Sequence, residues 1–196
     1  MHHTARLTLL ALTLACCAAS AHADKQTQQA GELAAQARAA AGSLIKTLGG
    51  QLKSVMATAG PEQAIDVCKQ MAPAIAAEVS AKTGMSVKRV SDRNRNPKGV
   101  PDAWEAQAIA ELEQRLAAGE KPETLDMYAV VDSPQGKTFR YAKALVTQPL
   151  CLSCHGKPET LSAGVKARLA AEYPNDKAVG YSAGMLRGIV SVSKPM

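Results

Sequence analysis

The chain has 196 residues and carries 23 Lys and Arg against 17 Asp and Glu, a formal net charge of +6. That length suits one ordinary domain with extras. The basic residues are dispersed and not interleaved with stacking aromatics, which excludes the usual nucleic-acid-binding composition, and no segment beyond residue 23 is apolar for long enough to span a bilayer.

The N-terminus reads MHHTARLTLLALTLACCAASAHA. A short polar start with Arg6 precedes an apolar run from Leu7 to Ala19, and Ala21-His22-Ala23 forms a small-residue cleavage pattern before Asp24. This is the pattern of a secretory signal peptide over residues 1–23, too short for a permanent anchor. A lipoprotein reading through Cys16 or Cys17 fits less well, because Thr13 stands three residues before Cys16 and a second cysteine precedes Cys17. The expectation is a soluble periplasmic protein whose mature part, residues 24–196, is a single domain. Cleavage leaves three cysteines (Cys68, Cys151, Cys154), one histidine (His155) and a net charge of +5, since only Arg6 is lost. Exported thiols tend to oxidise, so the odd cysteine requires an explanation. One Phe, one Trp and four Tyr are a thin aromatic supply. A large flat apolar cofactor, or closely packed Ala-rich helices, would compensate.

Residues 26–59 are Ala- and Gln-rich with spaced Leu, Ile, Val and Met, which predicts a long amphipathic helix interrupted at Gly49-Gly50. Gly60-Pro61 ends it and opens a second helix that stops at Gly84. On that helix Ala64, Cys68, Met71 and Ile75 fall on one face by spacing, and Pro73 is expected to bend it. MSVKRVS predicts a short strand, and SDRNRNPKGVPD a loop. Asn96-Pro97 shapes that loop, while Pro101-Asp102 caps a third helix running to Gly119. LDMYAVVDSPQGKTFRYAKALVTQ predicts two strands with a turn at 133–136. After QPLCLSCHGKP come a helix over 159–172, a loop over 174–184 and a closing strand, RGIVSVSK. Clustered strands with one tight hairpin predict an antiparallel sheet and an α+β class.

The stretch CLSCH holds Cys151, Cys154 and His155 in a Cys-x-x-Cys-His pattern. That is the sequence form of covalent heme c: two cysteines form thioethers to the porphyrin vinyls and the next histidine ligates iron. Three rivals compete with it. A thioredoxin-like pair belongs in a βαβ unit, which the surroundings do not provide. Zinc held by Cys68, Cys151, Cys154 and His155 would need two adjacent residues to face one ion. A plain disulfide is the third. With heme bound and no second histidine, the sixth iron position falls to Cys68, to Met56, Met71, Met85, Met127, Met185 or Met196, to water, or to nothing. Methionine raises the potential and a thiolate lowers it. Cys68 alone also reads as a small buried apolar residue.

From about Ile45 to Val192 the chain resembles a family of exported single-heme c proteins with a PAS-like fold, long catalogued as a domain of unknown function. AIDVCKQMAPAIA, VKRVSDRNRNPKGVPDAWE, QPLCLSCHGKP and YPNDKAVGYSAGMLRG carry the resemblance. It implies a PAS-like antiparallel sheet flanked by helices, with a long N-terminal helix and one covalent heme c held against the sheet. It also implies that Cys68 is the iron ligand opposite His155, which would account for the odd cysteine. The chain departs from the family in having Met185 after Gly184, where an acidic residue is common. The heme propionates want cationic partners, and Arg89, Arg93, Arg95, Arg140 and Arg187 are candidates. Trp104 is expected in core packing.

The resemblance favours a sensor of redox state or of a small gas, CO or NO. In that scheme Cys68 leaves the iron as a protonated thiol on reduction. The alternative is a single-heme electron carrier, whose basic surface would steer acidic partners. Peroxidase-like catalysis would need a distal acid–base residue that a chain with one mature histidine does not supply, so no enzymatic activity is expected. Heme attachment would need the c-type heme maturation machinery, and a signal would pass to a separate redox or signalling protein.

Overall fold

The computed structural model describes residues 5–134 and 136–196, with side chains from Lys25 onward. The predicted leader, residues 1–23, therefore lies wholly outside the described side chains, and Gln135, in the predicted 133–136 turn, lies outside the described residues. Helix α1 spans Ala5–Thr58, and Pro61 opens α2 (Pro61–Asp66). A π-helical turn, Val67–Met71, leads directly into α3 (Ala72–Thr83), which ends on left-handed Gly84. Next come β1 (Ser86–Val90), α4 (Ala103–Ala117), β2 (Asp126–Ser133) and β3 (Gly136–Val146). The short α5 (Leu152–His155), α6 (Ala163–Glu172) and β4 (Leu186–Pro195) complete the chain. The four strands form one antiparallel sheet in the order β1-β4-β3-β2. Among the described residues, no helix is long and apolar enough to cross a membrane.

Strand alternation separates two cores. Val87, Phe139, Tyr141, Val190 and Val192 face α1 and α3, where Leu44, Leu48 and Ile75 join them. Ala142, Ala144 and Ile189 face α4 and meet Ile109 and Leu112. The third cluster, around Ile65, Leu161, Val165 and Tyr173, packs α2 against α6. Helix α4 begins with a reciprocal capping box between Asp102 and Glu105, as Pro101-Asp102 predicts.

Two helix expectations are corrected. Helix α1 is not interrupted at Gly49-Gly50. Each glycine costs about 1 kcal/mol against alanine in a helix, but Leu44 and Leu48 are buried in the main core and Leu52 packs beside them. Burial of that leucine stripe holds the helix through the glycines. Pro73 produces a π-turn in place of a simple bend. Proline has no N–H to give and crowds the preceding turn, and the ladder admits an extra residue, with the Ala72 N–H donating to Val67 O. The turn shifts the helix phase. Met71 and Ile75 pack in the main core, while Ala64 and Cys68 look into a cavity. The predicted common face is thus split in two.

Helix α1 is anchored to the sheet by charge as well as by packing. Asp126 on β2 accepts from Arg38 Nε at 2.7 Å, from the second Arg38 nitrogen at 3.0 Å, and from the buried Tyr141 hydroxyl at 2.9 Å. Burial pushes the Asp126 carboxyl up, but the bonds from Arg38 and Tyr141 outweigh it and hold the group below its ordinary range. A lowered folded pKa stabilises above the unfolded value and ceases to do so as pH falls through the folded one. Asp126→Asn is therefore expected to lower the melting temperature at neutral pH, with the gap to wild type closing below about pH 4. A gap that stays constant across an acid series of thermal melts would refute this account.

Candidate cofactor site

After β3 the chain is held by paired backbone bonds, Thr147 N–H to Met185 O at 2.8 Å and Gly184 N–H to Thr147 O at 2.9 Å. Pro149–Cys151 forms one 3-10 turn that runs straight into α5. The tight helical winding puts Cys151 and Cys154 on the same side, one turn apart, with His155 next to them. Gly156 stops the turn, and a Cβ there would collide with the Leu152 carbonyl. Both cysteines are half-buried free thiols. Burial pushes the Cys154 thiol up, against the pull of Arg95.

The His155 ring is fixed from behind. Its Nδ1 lies 2.7 Å from Ala178 O. A carbonyl only accepts, so Nδ1 carries the proton and Nε2 keeps its lone pair. Burial lowers the His155 pKa well below its ordinary value, the guanidiniums of Arg187, Arg95 and Arg89 add to this, and the Ala178 carbonyl opposes it. The ring is thus a neutral imidazole, the form that ligates metals, with an outer partner of the kind that orients such ligands. Tyr181 meets it edge-on, at 6.2 Å and 87°. Two further bonds tie the 174–184 loop to the motif, Gly180 N–H to Gly156 O at 2.8 Å and Tyr181 N–H to His155 O at 2.9 Å.

Arg95 locks three segments together. One terminal nitrogen donates to Cys154 O at 2.6 Å and to Ala178 O at 3.1 Å, while Nε donates to Asp176 Oδ2 at 3.0 Å. The ion pair is buried, with side chains 8% and 12% exposed. Arg93 donates to Val179 O and stacks over the Tyr181 ring at 4.1 Å. The DRNRNP segment is therefore a clamp on the motif, a role that its loop-like composition does not reveal.

The motif forms one wall of a cavity of about 210 Å³. Cys151, Cys154 and His155 line it together with Cys68, with Leu52 and Met56 of α1, and with Tyr173. Of the methionines weighed as ligands, only Met56 is there. Met71 and Met85 pack in the main core, Met127 packs near α4, and Met185 and Met196 are exposed. The Met185 sulfur accepts from the Ser182 N–H at 3.2 Å. Sequence spacing did not select Leu52, Tyr173 or Tyr181 for the site. The only signal for the two tyrosines was their place in the YPNDKAVGYSAGMLRG stretch.

The candidate arginines part company. Arg89, Arg95 and Arg187 line the cavity. Arg140 does not: it pairs with Asp102 at 2.7 Å and Glu105 at 3.3 Å and lies over the Trp104 ring at 4.8 Å. Trp104 packs beside the α4 core. A sheet irregularity places Arg187. Leu145 pairs with Gly188 but Val146 pairs with Leu186, so Arg187 is the extra residue of a β-bulge. A bulge re-aims side chains. Here Arg187 and Gly188 both line the cavity, and Leu186 turns to the α4 core. A Cβ at Gly188 would strike Val90 O and Ser91. Burial lowers the Arg187 pKa, and its Nε is buried with no hydrogen-bond partner. Among the described residues neither Arg187 nor Arg89 has an acidic partner, whereas Arg95 has Asp176.

These donors fit a flat apolar group with anionic edges. Two thiols one turn apart suit covalent attachment, a neutral imidazole supplies Nε2, and a third sulfur, on Cys68, lines the same cavity. Two guanidiniums without acids await negative charge. Among the described residues no three His, Cys, Asp or Glu side chains converge as a ligand set for a bare ion, which weighs against zinc. The antiparallel setting of the motif is not the βαβ context of a thioredoxin-like pair.

The family model described as Tll0287-like matches residues 18–195. The crystal structure of the cyanobacterial heme-protein Tll0287 superposes with a TM-score of 0.60 at 22% identity, covering 86% of this chain and 96% of that one. At that identity the likeness speaks for the fold alone. No curated protein matches the chain at a significant level.

Arg95→Met strands the Asp176 carboxylate, frees the Cys154 carbonyl and leaves the Ala178 carbonyl with His155 alone. Breaking a buried pair in this way costs about 3–5 kcal/mol. Urea denaturation is expected to show a loss of that size, and a loss under about 1 kcal/mol would mean that the clamp does not hold the motif.

Proposed function

The chain belongs to the Tll0287-like family, and from that premise we propose that it is an exported periplasmic protein carrying one covalent heme c and sensing redox state or a small gas. Cys151 and Cys154 hold the heme as thioethers, and His155 Nε2 is one iron ligand. Cys68 is the other, and Arg89 and Arg187 meet the propionates. When bound, such a heme supplies an iron that stores one electron and takes CO or NO at an open position.

The observation that carries the sensor reading is the π-turn that presents Cys68 to the cavity. Such turns interrupt the regular helical ladder and recur at functional sites. A ligand on this segment can withdraw while Ala72, Ile75 and Val79 of the following helix stay packed. On one-electron reduction by the redox partner, Cys68 would take a proton from solvent onto its sulfur as it leaves, and the space that it vacates would admit the gas. His155 cannot move in this way, because Ala178, Gly180 and Tyr181 hold the motif. The change would be read by a separate redox or signalling protein, after the heme maturation machinery has completed the site. A second reading, a single-heme electron carrier, draws on Met56 in the same cavity. A methionine ligand would stay bound in both oxidation states.

Electron paramagnetic resonance of the heme-loaded ferric protein separates the two. A low-spin thiolate-type signal is expected in wild type and should vanish in Cys68→Ala. After reduction, wild type should bind CO. If the signal survives the substitution, Cys68 is not a ligand and the carrier reading takes over. Absence of any heme after expression with the maturation machinery would reject both readings.

A further inference from the structure

Tyr173 lines the cavity, yet the site as described gives it no task. Its ring is buried, packed among Ile65, Leu161, Val165 and Leu169, with the Arg95 guanidinium 6.0 Å from its centroid. Buried tyrosine hydroxyls usually find a partner. The Tyr173 oxygen is not sealed off and has no hydrogen-bond partner among the described residues, so it can take one in the cavity.

Ion pairs on either side bring Tyr173 next to the segment that carries Cys68. Glu172, just before Tyr173, pairs with Lys69, just after Cys68. One helical turn earlier Arg168 pairs at 2.7 Å with Asp66, the residue of α2 that leads into the π-turn. The end of α6 and the π-turn are thus pinned side by side, with Tyr173 and Cys68 both turned to the cavity. Burial keeps the proton on the Tyr173 oxygen, and the proximity of Cys68 adds to this. Arg95 and Arg89 pull the other way.

We propose that Tyr173 is a positioning residue whose hydroxyl donates a hydrogen bond to the Cys68 sulfur when that sulfur is bound to metal. The inference deepens the function proposed above and rests on Cys68 being an iron ligand. A hydrogen bond to a coordinating sulfur withdraws charge from it and weakens its donation to the metal, one of the protein's levers on potential. Removing the hydroxyl should strengthen that donation.

The test is a cycle of four heme-loaded proteins: wild type, Tyr173→Phe, Cys68→Ala and the double variant. Reduction midpoint and the ferric paramagnetic spectrum are measured for each. Tyr173→Phe is expected to lower the midpoint and shift the thiolate-type signal when Cys68 is present, and to change neither when Cys68 is alanine. A midpoint shift of the same size in both backgrounds assigns Tyr173 a merely structural or polarity role and overturns the proposal, as does no shift in either. If Cys68→Ala alone leaves the ferric spectrum unchanged, the ligand assignment itself has failed and the hydrogen bond falls with it.

Discussion

One carbonyl organises the site. Ala178 O accepts from both His155 Nδ1 and Arg95. The first bond sets the tautomer and leaves Nε2 free. The second brings in a guanidinium that also holds Cys154 O and Asp176. Loop 91–102, the CLSCH turn and loop 174–184 are otherwise irregular backbone, which would be expensive to order near a cavity. Their mutual hydrogen bonds satisfy the backbone that a sheet or helix would satisfy elsewhere.

Around this rigid half, two departures from regular structure supply the remaining chemistry. The β-bulge at Arg187 slips the register by one residue, so a side chain that alternation would send toward α4 lines the cavity instead. The π-turn at Val67–Met71 does the same for Cys68 and removes Met71 from contention. Each device adds one residue to a periodic element, and in each case the added residue changes what the cavity contains. The two halves differ in how firmly they are held. The histidine side is cross-linked by buried hydrogen bonds, while the cysteine side is tied by ion pairs at partly exposed side chains, which are weaker. That asymmetry is what the ligand exchange proposed above would require.

Helix α1 joins the two functions of the fold. Its leucines and alanines make the core against the sheet, and its C-terminal part contributes Leu52 and Met56 to the cavity. The Arg38–Asp126–Tyr141 bonds fix the helix far from the cavity and so set where those residues arrive.

Much of this was legible in the sequence. Alternation and turn residues gave the antiparallel sheet, and Asp102 gave the α4 cap, because periodicity and capping are local physics. The spacing of Cys151, Cys154 and His155 is also local, fixed by one tight turn of chain. What lay beyond reach was everything that depends on two distant segments meeting. Arg140 and Arg187 look alike in sequence, yet one has two carboxylates and the other has none, since only the packed sheet decides which side chain has a counter-charge. Cys68 and Met71 share a face on an ideal helix, and Pro73 alone did not tell that a π-turn would separate them. The sequence by itself determined the elements and the CLSCH turn, because these follow from neighbours within a few residues. The tertiary structure decided the cavity, the Cys68 sulfur within it and, among the described residues, the arginines left without acidic partners, because burial and charge pairing are properties of surfaces brought together by the whole chain.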